Sequence, residues 1–200
     1  MDYVREVVES SSTMATWLHR SLEHVRVGDD PRSRLSMREL DPIGERFRAV
    51  VLLAKNSLDR IALTLVRAGF EAYVRGVWLH RCATGAAIDR LKSGKTIATF
   101  DQLLKDLADV PGFEAQLLVP VNKRSWGQMD AFSRDLTLRV MRREAGSPEP
   151  VRVKQEIIEA LHFMTAIAFL ASIEVALLAG NDELAQSIRN KIISVSAGGY

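Results

Sequence analysis

Charged residues that could bind or catalyse are concentrated on one predicted helix, which spans Leu58 to Ala83. At 100° per residue, Arg60, Arg67, Glu71 and Arg75 fall within an arc of about 80°. Because Arg67 and Arg75 each stand four residues from Glu71, both can form ion pairs with it. Two arginines against one glutamate would also leave a positive surplus, which is the chemistry that binds phosphate or another anion.

This charged row (Arg67, Glu71 and Arg75) has two interpretations. It is either a structural ion-pair network, which Glu174 of a later helix would join, or a binding site for an anionic ligand or a protein partner, completed by Arg134. We favour the structural interpretation of the charges, because such networks are common where charge must be buried. The binding interpretation is the functional hypothesis that the same residues provide.

Small residues recur on another side of the same helix. Ala62, Gly69 and Gly76 follow one another at intervals of seven residues. Each glycine costs a helix about 1 kcal/mol relative to alanine, so a compensating reason is needed. The spacing predicts a smooth strip against which another helix packs closely.

The four histidines do not predict a metal centre. His19, His24, His80 and His162 show neither an HExxH pattern nor Cys/His ligand spacing, so we expect no metal and no cofactor. His162 stands one turn from Glu159 on an apolar helix. It is expected to be a satisfied core histidine rather than a general acid or base.

A basic segment lies later in the chain. Arg139, Arg142 and Arg143 share one face of a predicted helix and could contact RNA or DNA phosphates. Eight basic residues stand against four acidic ones between Pro120 and Lys154. The surplus is modest, so a solvated face is the preferred interpretation.

Composition predicts one domain with an apolar core. The chain has 200 residues, of which 47% are hydrophobic and 26% charged, and its net charge of +2 does not by itself imply a nucleic-acid or membrane partner. The single cysteine, Cys82, excludes an internal disulfide framework. Phe163 to Gly180 approaches transmembrane length but contains Glu174, which favours a buried core helix. With no secretory signal at the N-terminus, we expect a cytoplasmic protein without a membrane partner.

Helical periodicity recurs throughout, whereas strand signals are nearly absent. We therefore predict an all-α bundle of about six to nine helices in a single domain over residues 1–193, with a flexible tail at 194–200. The predicted helices are a first one ending near Gly28, a short one from Pro31 to Asp41, then Pro42–Lys55, Leu58–Ala83, Thr99–Val110, Val121–Phe132, Asp135–Glu144, Arg152–Ala179 and Asp182–Ile193. Asn56 or Ser57 is expected to cap the Leu58–Ala83 helix, and Thr99 with Gln102 to form a capping box.

The run from Arg67 to Ala83 resembles the signature of a bacterial family of unknown function. That family's helix carries Arg, Phe-Glu-Ala, Arg-Gly and Trp-Leu in this order. A second block agrees, with Pro111-Gly112-Phe113-Glu114, then Trp126, Met129, Phe132 and Arg142-Arg143. The resemblance implies an all-α fold and no particular function. Where relatives carry a histidine, this chain has Arg134, which argues against an inherited catalytic role.

The chain also resembles, more distantly, the HEPN helical domains, many of which are toxin or antiphage ribonucleases. Their mark is an arginine followed four to six residues later by a histidine, as in Arg75 and His80. Five residues along an ideal helix place the two about 140° apart. They could act together only if the helix ended between them or a partner chain supplied one group. His80 is otherwise expected to pack or to lie at the surface.

Three hypotheses of function follow. The first is a non-catalytic helical module that binds a protein partner or an anionic ligand through Arg67, Glu71, Arg75 and Arg134. The second is a HEPN-like ribonuclease, independent of metal, that uses Arg75 and His80 in a toxin–antitoxin or phage-defence setting. The third is an obligate homo-oligomer in which apolar helix faces meet across a two-fold axis.

Overall fold

Helices make up almost all of the chain that the structure describes. The computed structural model describes residues 3–95, 98–110, 113 and 150–197, and these contain seven helices and no strand. The helices are α1 (Tyr3–Leu22), α2 (Pro31–Lys55), α3 (Asp59–Arg81), α4 (Gly85–Lys92), α5 (Phe100–Ala108), α6 (Pro150–Leu178) and α7 (Asp182–Ala197). The prediction of an all-α, single-domain helical bundle is confirmed.

The core is built around α6, against which α1, α2, α3 and α7 all pack. Every residue from 163 to 176 is buried, including the polar Thr165, Ser172 and Glu174. The two hydroxyls donate hydrogen bonds to carbonyl oxygens one turn earlier in the helix. Gln155–Leu178 has the length and hydropathy of a membrane span, but 78% of its apolar window is buried inside the fold. This burial favours the core helix that the sequence predicts.

α2 is one continuous helix, so the prediction of two helices that meet at Pro42 is wrong. A proline inside a helix removes a backbone hydrogen bond and costs about 3 kcal/mol. Buried apolar side chains on both sides of it, Leu40, Ile43 and Phe47, keep the helix intact across the proline. The predicted start of α2 is confirmed, because the Asp30 carboxylate accepts two backbone N–H hydrogen bonds there.

Two neighbouring helices approach α3 at its glycines. A Cβ built on Gly76 would stand 2.5 Å from the Cγ of Leu40 on α2. A Cβ built on Gly69 would stand 2.9 Å from the Cε of Met164 on α6. The predicted strip of small residues therefore does allow close helix approach, and it serves two different neighbours.

The turn between α2 and α3 differs from the prediction. The N-cap of α3 is Leu58, without a side-chain cap, rather than Asn56 or Ser57. Asn56 instead ends α2, where its Nδ2 donates a 2.8 Å hydrogen bond to the carbonyl oxygen of Leu52. Ser57 has a φ of 58°, which lets the chain reverse within three residues.

Other helix ends also shift. α1 stops before the predicted end near Gly28, α4 is absent from the prediction, and α7 continues beyond the predicted end at Ile193. Thr99 occupies the N-cap of α5 but makes no side-chain capping bond. Gln102 donates instead to Oδ1 of Asp106, at 2.9 Å, so the predicted capping box does not form. The helices predicted over 121–132 and 135–144 lie outside the described residues.

Candidate functional site

The charged row on α3 forms the ion pairs that its spacing predicts. The Nε of Arg67 lies 2.6 Å from Oε1 of Glu71, and an Nη of Arg75 lies 3.8 Å from Oε2 of the same glutamate. A further partner comes from α2, because the Nε of Arg75 donates to Oε2 of Glu39 at 2.8 Å. Two arginines thus face two glutamates, and the positive surplus that would favour an anion is absent from these four residues.

Glu39 reaches Arg75 because of the residue next to it on α3. Gly76 has no side chain, so α2 lies close enough for the Cβ of Glu39 to stand 3.4 Å from a Cβ built at that glycine. The pair is only partly buried, with side chains 33% and 32% exposed. The sequence left the exposure of the row open, and in the structure its side chains are partly exposed where α2 and α3 meet.

One broad face of α3 is exposed to solvent beside this row. On a helical projection, Leu58, Ile61 and Leu65 lie on the side of α3 next to the charged row, within the first turns of the helix. Leu58 is 46% exposed and Ile61 is 54% exposed, so two large apolar side chains lie in solvent within one turn of each other. We call the exposed side chains from Leu58, the N-cap residue, to Arg75 the α3 face; it includes the charged row.

A second cluster joins the C-terminal end of α3 to the middle of α6. Glu174 is 1% exposed, and its carboxylate accepts hydrogen bonds from two neighbouring residues of α3. Arg81 donates two hydrogen bonds to this carboxylate, from Nε to Oε1 at 2.5 Å and from Nη2 to Oε2 at 2.7 Å. His80 completes the cluster, with Nδ1 3.0 Å from Oε1. The prediction that Glu174 joins the charged row is wrong, because α6 lies against a different side of α3.

Electrostatics keep Glu174 ionised. Burial raises the pKa of its carboxyl, but the hydrogen bonds from His80 and Arg81 and the charge of Arg81 outweigh burial, so the pKa lies below its usual 4.5. The hydrogen bond with Glu174 in turn raises the pKa of Arg81. Because an ionised carboxylate can only accept, the Nδ1 of His80 must carry the proton that it shares with Glu174. In the tautomer that this contact selects, the ring lone pair lies on Nε2.

Tyr73 lies two turns before His80 on the same side of α3 and is fully buried. Its hydroxyl has no hydrogen-bond partner among the described residues. Burial, followed by the charge of Glu174, raises the pKa of Tyr73, so the phenol stays protonated.

Arg32 of α2 supplies hydrogen bonds to the C-terminal end of α3. Its Nη1 donates to the carbonyl oxygens of Leu79 and His80, at 3.2 and 3.1 Å, so these two carbonyl groups of the last turn have partners.

Arg75 and His80 do not meet within one chain. α3 is continuous through both residues and ends only at Arg81. Arg75 contacts Glu39 on α2, whereas His80 contacts Glu174 on α6. The geometric objection raised by the sequence therefore holds, and a shared site would require a second chain.

Other predicted site residues are placed as follows. Arg134, Arg139, Arg142 and Arg143 lie outside the described residues. Within the residues that are described, no group of three or more His, Cys, Asp or Glu side chains could hold a metal ion. His162 is partly buried, and burial lowers the pKa of its imidazole although Glu159 opposes this shift.

Sequence reasoning missed Glu39, Arg81 and Tyr73 as members of these clusters. Only Glu39 had a local signal, because the glycine beside Arg75 predicts the close approach of another helix. Arg81 had none, since its role depends on which helix covers the C-terminal end of α3.

The fold and these clusters define an all-helical domain whose charged residues join α3 to its neighbours and leave one α3 face open. A family model, Family of unknown function (DUF6988), matches residues 44–194. The match covers more than half of the chain, and the chain belongs to this family. No curated protein and no solved structure matches it.

Proposed function

We propose that the protein is a non-catalytic helical module that binds a protein partner through the α3 face. The observation that carries the proposal is the juxtaposition of exposed apolar residues, Leu58 and Ile61, with a half-exposed row of paired charges. Protein interfaces combine an apolar centre with a polar rim, and arginines are enriched in them. The α3 face has this composition over about five helical turns.

The charge balance of the row favours a protein over a polyanion. Arg67 and Arg75 are matched by Glu71 and Glu39, so a phosphate would have to displace a carboxylate from each arginine. A protein partner can instead supply charges of both signs and retain these pairs at the rim. Complementary rim charges then contribute mainly to association rate and specificity.

The test uses two matched substitutions of exposed isoleucines. Ile61→Glu adds a charge at the centre of the α3 face, whereas Ile193→Glu adds it at an equally exposed position on α7, 58% exposed. Neither should change stability by more than about 0.5 kcal/mol, because both side chains are largely in solvent. Proteins that co-purify from the native host should be lost with Ile61→Glu and with Arg75→Ala, and retained with Ile193→Glu.

Three outcomes would contradict the proposal. One is a partner that is retained by Ile61→Glu, and another is the absence of any partner that distinguishes the two isoleucine variants. The third is global unfolding of Arg75→Ala, which would make the row purely structural. Light scattering separates the homo-oligomer hypothesis, since a dimer that Ile61→Glu dissociates would make the partner a second copy of the chain.

A second candidate function, a metal-independent ribonuclease, is supported by the contact between His80 and Glu174. A buried carboxylate that holds Nδ1 fixes the ring and leaves Nε2 as a base, which is an arrangement suited to general acid–base chemistry. The side chain of His80 is 26% exposed, so a substrate proton could reach it. Arg75 would have to come from a second chain.

Incubation of the purified protein with total RNA, with and without EDTA, tests this candidate. Cleavage should survive EDTA and disappear in His80→Ala and in Arg75→Ala variants of verified fold. Mixing the two inactive variants should restore activity, because a mixed dimer contains one site with both groups. Full activity in His80→Ala would refute the role of this residue. If the wild type does not cleave RNA, the ribonuclease hypothesis is refuted and the binding module is the function that remains.

A further inference from the structure

Three charged side chains stand at intervals of seven residues along α2: Arg32, Glu39 and Arg46. Seven residues turn an α-helix by about 700°, so neighbours in this series differ by only about 20° on a helical projection. The first two mark the edge of α2 that meets α3, because Arg32 donates to carbonyl oxygens at the end of α3 and Glu39 accepts from Arg75. Arg46 therefore lies on the same edge, about two turns beyond Glu39.

Arg46 lacks the partner that the other two members of the series have. Its Nη1 is buried and has no hydrogen-bond partner among the described residues. No described carboxylate forms a salt bridge with Arg46 either. A donor that loses water and gains no acceptor destabilises the unbound protein. The residue as a whole is only partly buried, so an acceptor from another molecule can reach the guanidinium.

Arg46 is level with the middle of the α3 face. α2 and α3 are antiparallel, because Glu39 contacts Arg75 while the turn between the helices brings the N–H of Leu58 to within 2.8 Å of the carbonyl oxygen of Leu53. Two turns beyond Glu39 on α2 therefore correspond to about two turns before Arg75 on α3. The guanidinium of Arg46 thus borders the α3 face on its α2 side.

The charges at this position favour a single carboxylate as the partner. Arg67 and Arg75 are matched by Glu71 and Glu39, so Arg46 supplies the one unmatched charge among these five residues. A guanidinium binds a carboxylate with two parallel hydrogen bonds, which is a strong and specific arrangement. A polyanion would instead bring several negative charges against the two glutamates.

We propose that the partner of the α3 face presents an aspartate or a glutamate to Arg46 from a segment that is otherwise apolar. The apolar part of this segment packs on Ile61 and on the partly exposed Leu53 and Leu65. The carboxylate draws the guanidinium outwards and supplies the acceptor that the unbound protein lacks. This inference rests on the proposed function, because it specifies the chemistry of the partner that binds the α3 face.

A library of phage-displayed peptides tests the charge preference with the full chain as the target. Peptides are selected on the wild type and counter-selected on Ile61→Glu, which retains those that bind the α3 face. Each recovered peptide family should contain an Asp or a Glu whose replacement by Asn or Gln weakens binding at least about fivefold, the upper end for an exposed ion pair. Arg46→Gln should weaken the binding of the unchanged peptide by a similar factor.

The matched control is Arg48→Gln. Arg48 is exposed on the opposite side of α2 and likewise forms no salt bridge with a described residue, so its replacement should leave peptide binding unchanged. A charge exchange excludes a loss of fold as the explanation. Arg46→Glu should lose the acidic peptide and should bind a version in which the acidic residue is replaced by lysine.

The outcomes separate this inference from the function on which it rests. If no peptide depends on Ile61, the α3 face is not a binding surface and both proposals fail. Peptides that depend on Ile61 but lack an acidic residue, or that bind Arg46→Gln as tightly as the wild type, overturn the inference alone. Equal weakening by Arg46→Gln and Arg48→Gln would also overturn it, since it would show only a general attraction between opposite charges.

Discussion

Replacing Glu174 with glutamine should destabilise the protein strongly. The carboxylate is 1% exposed and Arg81 is 19% exposed, so the change leaves a largely buried guanidinium without its counter-charge. Removing one partner of a buried ion pair typically costs about 3–5 kcal/mol. For a domain of this size each kcal/mol lowers the melting temperature by about 2–4 °C, which predicts a decrease of about 6–20 °C.

Glu71→Gln provides the internal comparison. It breaks an ion pair of the same residue types, Arg67 and Glu71, whose side chains are 43% and 30% exposed. Solvent screens such a pair, so the expected cost is about 0.2–1 kcal/mol. Calorimetry or circular dichroism melts of the two variants should therefore differ by several degrees. If Glu174→Gln melts no lower than Glu71→Gln, the assignment of a buried ion pair between α3 and α6 is wrong.

A double substitution separates the missing partner from the missing contact. Arg81→Met with Glu174→Leu removes both charges and leaves apolar side chains of similar length. Because a buried ion pair can often be replaced by apolar residues at little cost, the double variant should be more stable than Glu174→Gln alone. If the double variant is instead less stable than Glu174→Gln, the cluster stabilises the fold by more than the mutual neutralisation of its two charges.

The same cluster predicts a pH dependence. The pKa of Glu174 is lower in the folded protein than its usual 4.5, so its stabilisation is fully present above about pH 4.5 and is lost as the pH falls through the folded value. Urea unfolding at a series of acidic pH values should show that the difference in free energy of unfolding between the wild type and Glu174→Gln decreases as the pH falls, by at most about 1.4 kcal/mol per pH unit. A constant difference between the two proteins down to pH 3 would contradict the lowered pKa.

Three smaller changes test the packing and the core histidine. Gly76→Ala should destabilise by about 1–3 kcal/mol because its Cβ would collide with Leu40, which is 2% exposed. Gly44→Ala, inside α2, should stabilise the protein by about 0.5–1 kcal/mol, because a Cβ there would meet nothing within 4 Å and alanine favours the helix. Thermal melts in which the two glycine substitutions change stability in the same direction would refute the packing argument. Burial lowers the pKa of His162 below 6.5, so stability should fall as the pH drops below that value, where only the unfolded chain gains a proton. His162→Gln should flatten the stability profile between about pH 5 and 6.5, and an unchanged profile would assign the pH dependence to other groups.

The local features of this fold could be predicted from the sequence, because they depend on short spacings. The ion pairs of Glu71 with Arg67 and Arg75 follow from intervals of four residues, and they are present. The start of α2 follows from Asp30 and the proline after it. Local predictions also failed at the cap of α3, at the capping box of Thr99 with Gln102, and at Pro42. At Pro42 the burial of flanking apolar residues outweighs the preference of proline for the first position of a helix.

The partners of these charges could not be predicted in the same way. Glu39 stands 36 residues from Arg75, and Glu174 stands 93 residues from Arg81. Such pairs depend on which side of α3 each neighbouring helix covers, and no periodicity within one helix contains that information. The sequence therefore identified Glu174 as a buried charge in need of a partner and assigned it to the wrong cluster.

The positions of these partners change how the family signature on α3 should be understood. Arg75 and Gly76 contact α2, and the Nε1 of Trp78 donates a 2.8 Å hydrogen bond to Asp106 on α5. The helix ends at Arg81, which binds Glu174 on α6. Each of these elements joins α3 to a different neighbour. Such a signature preserves an arrangement of helices and says little about chemistry. Function is then expected where the signature imposes no packing role, at the exposed first turns of α3.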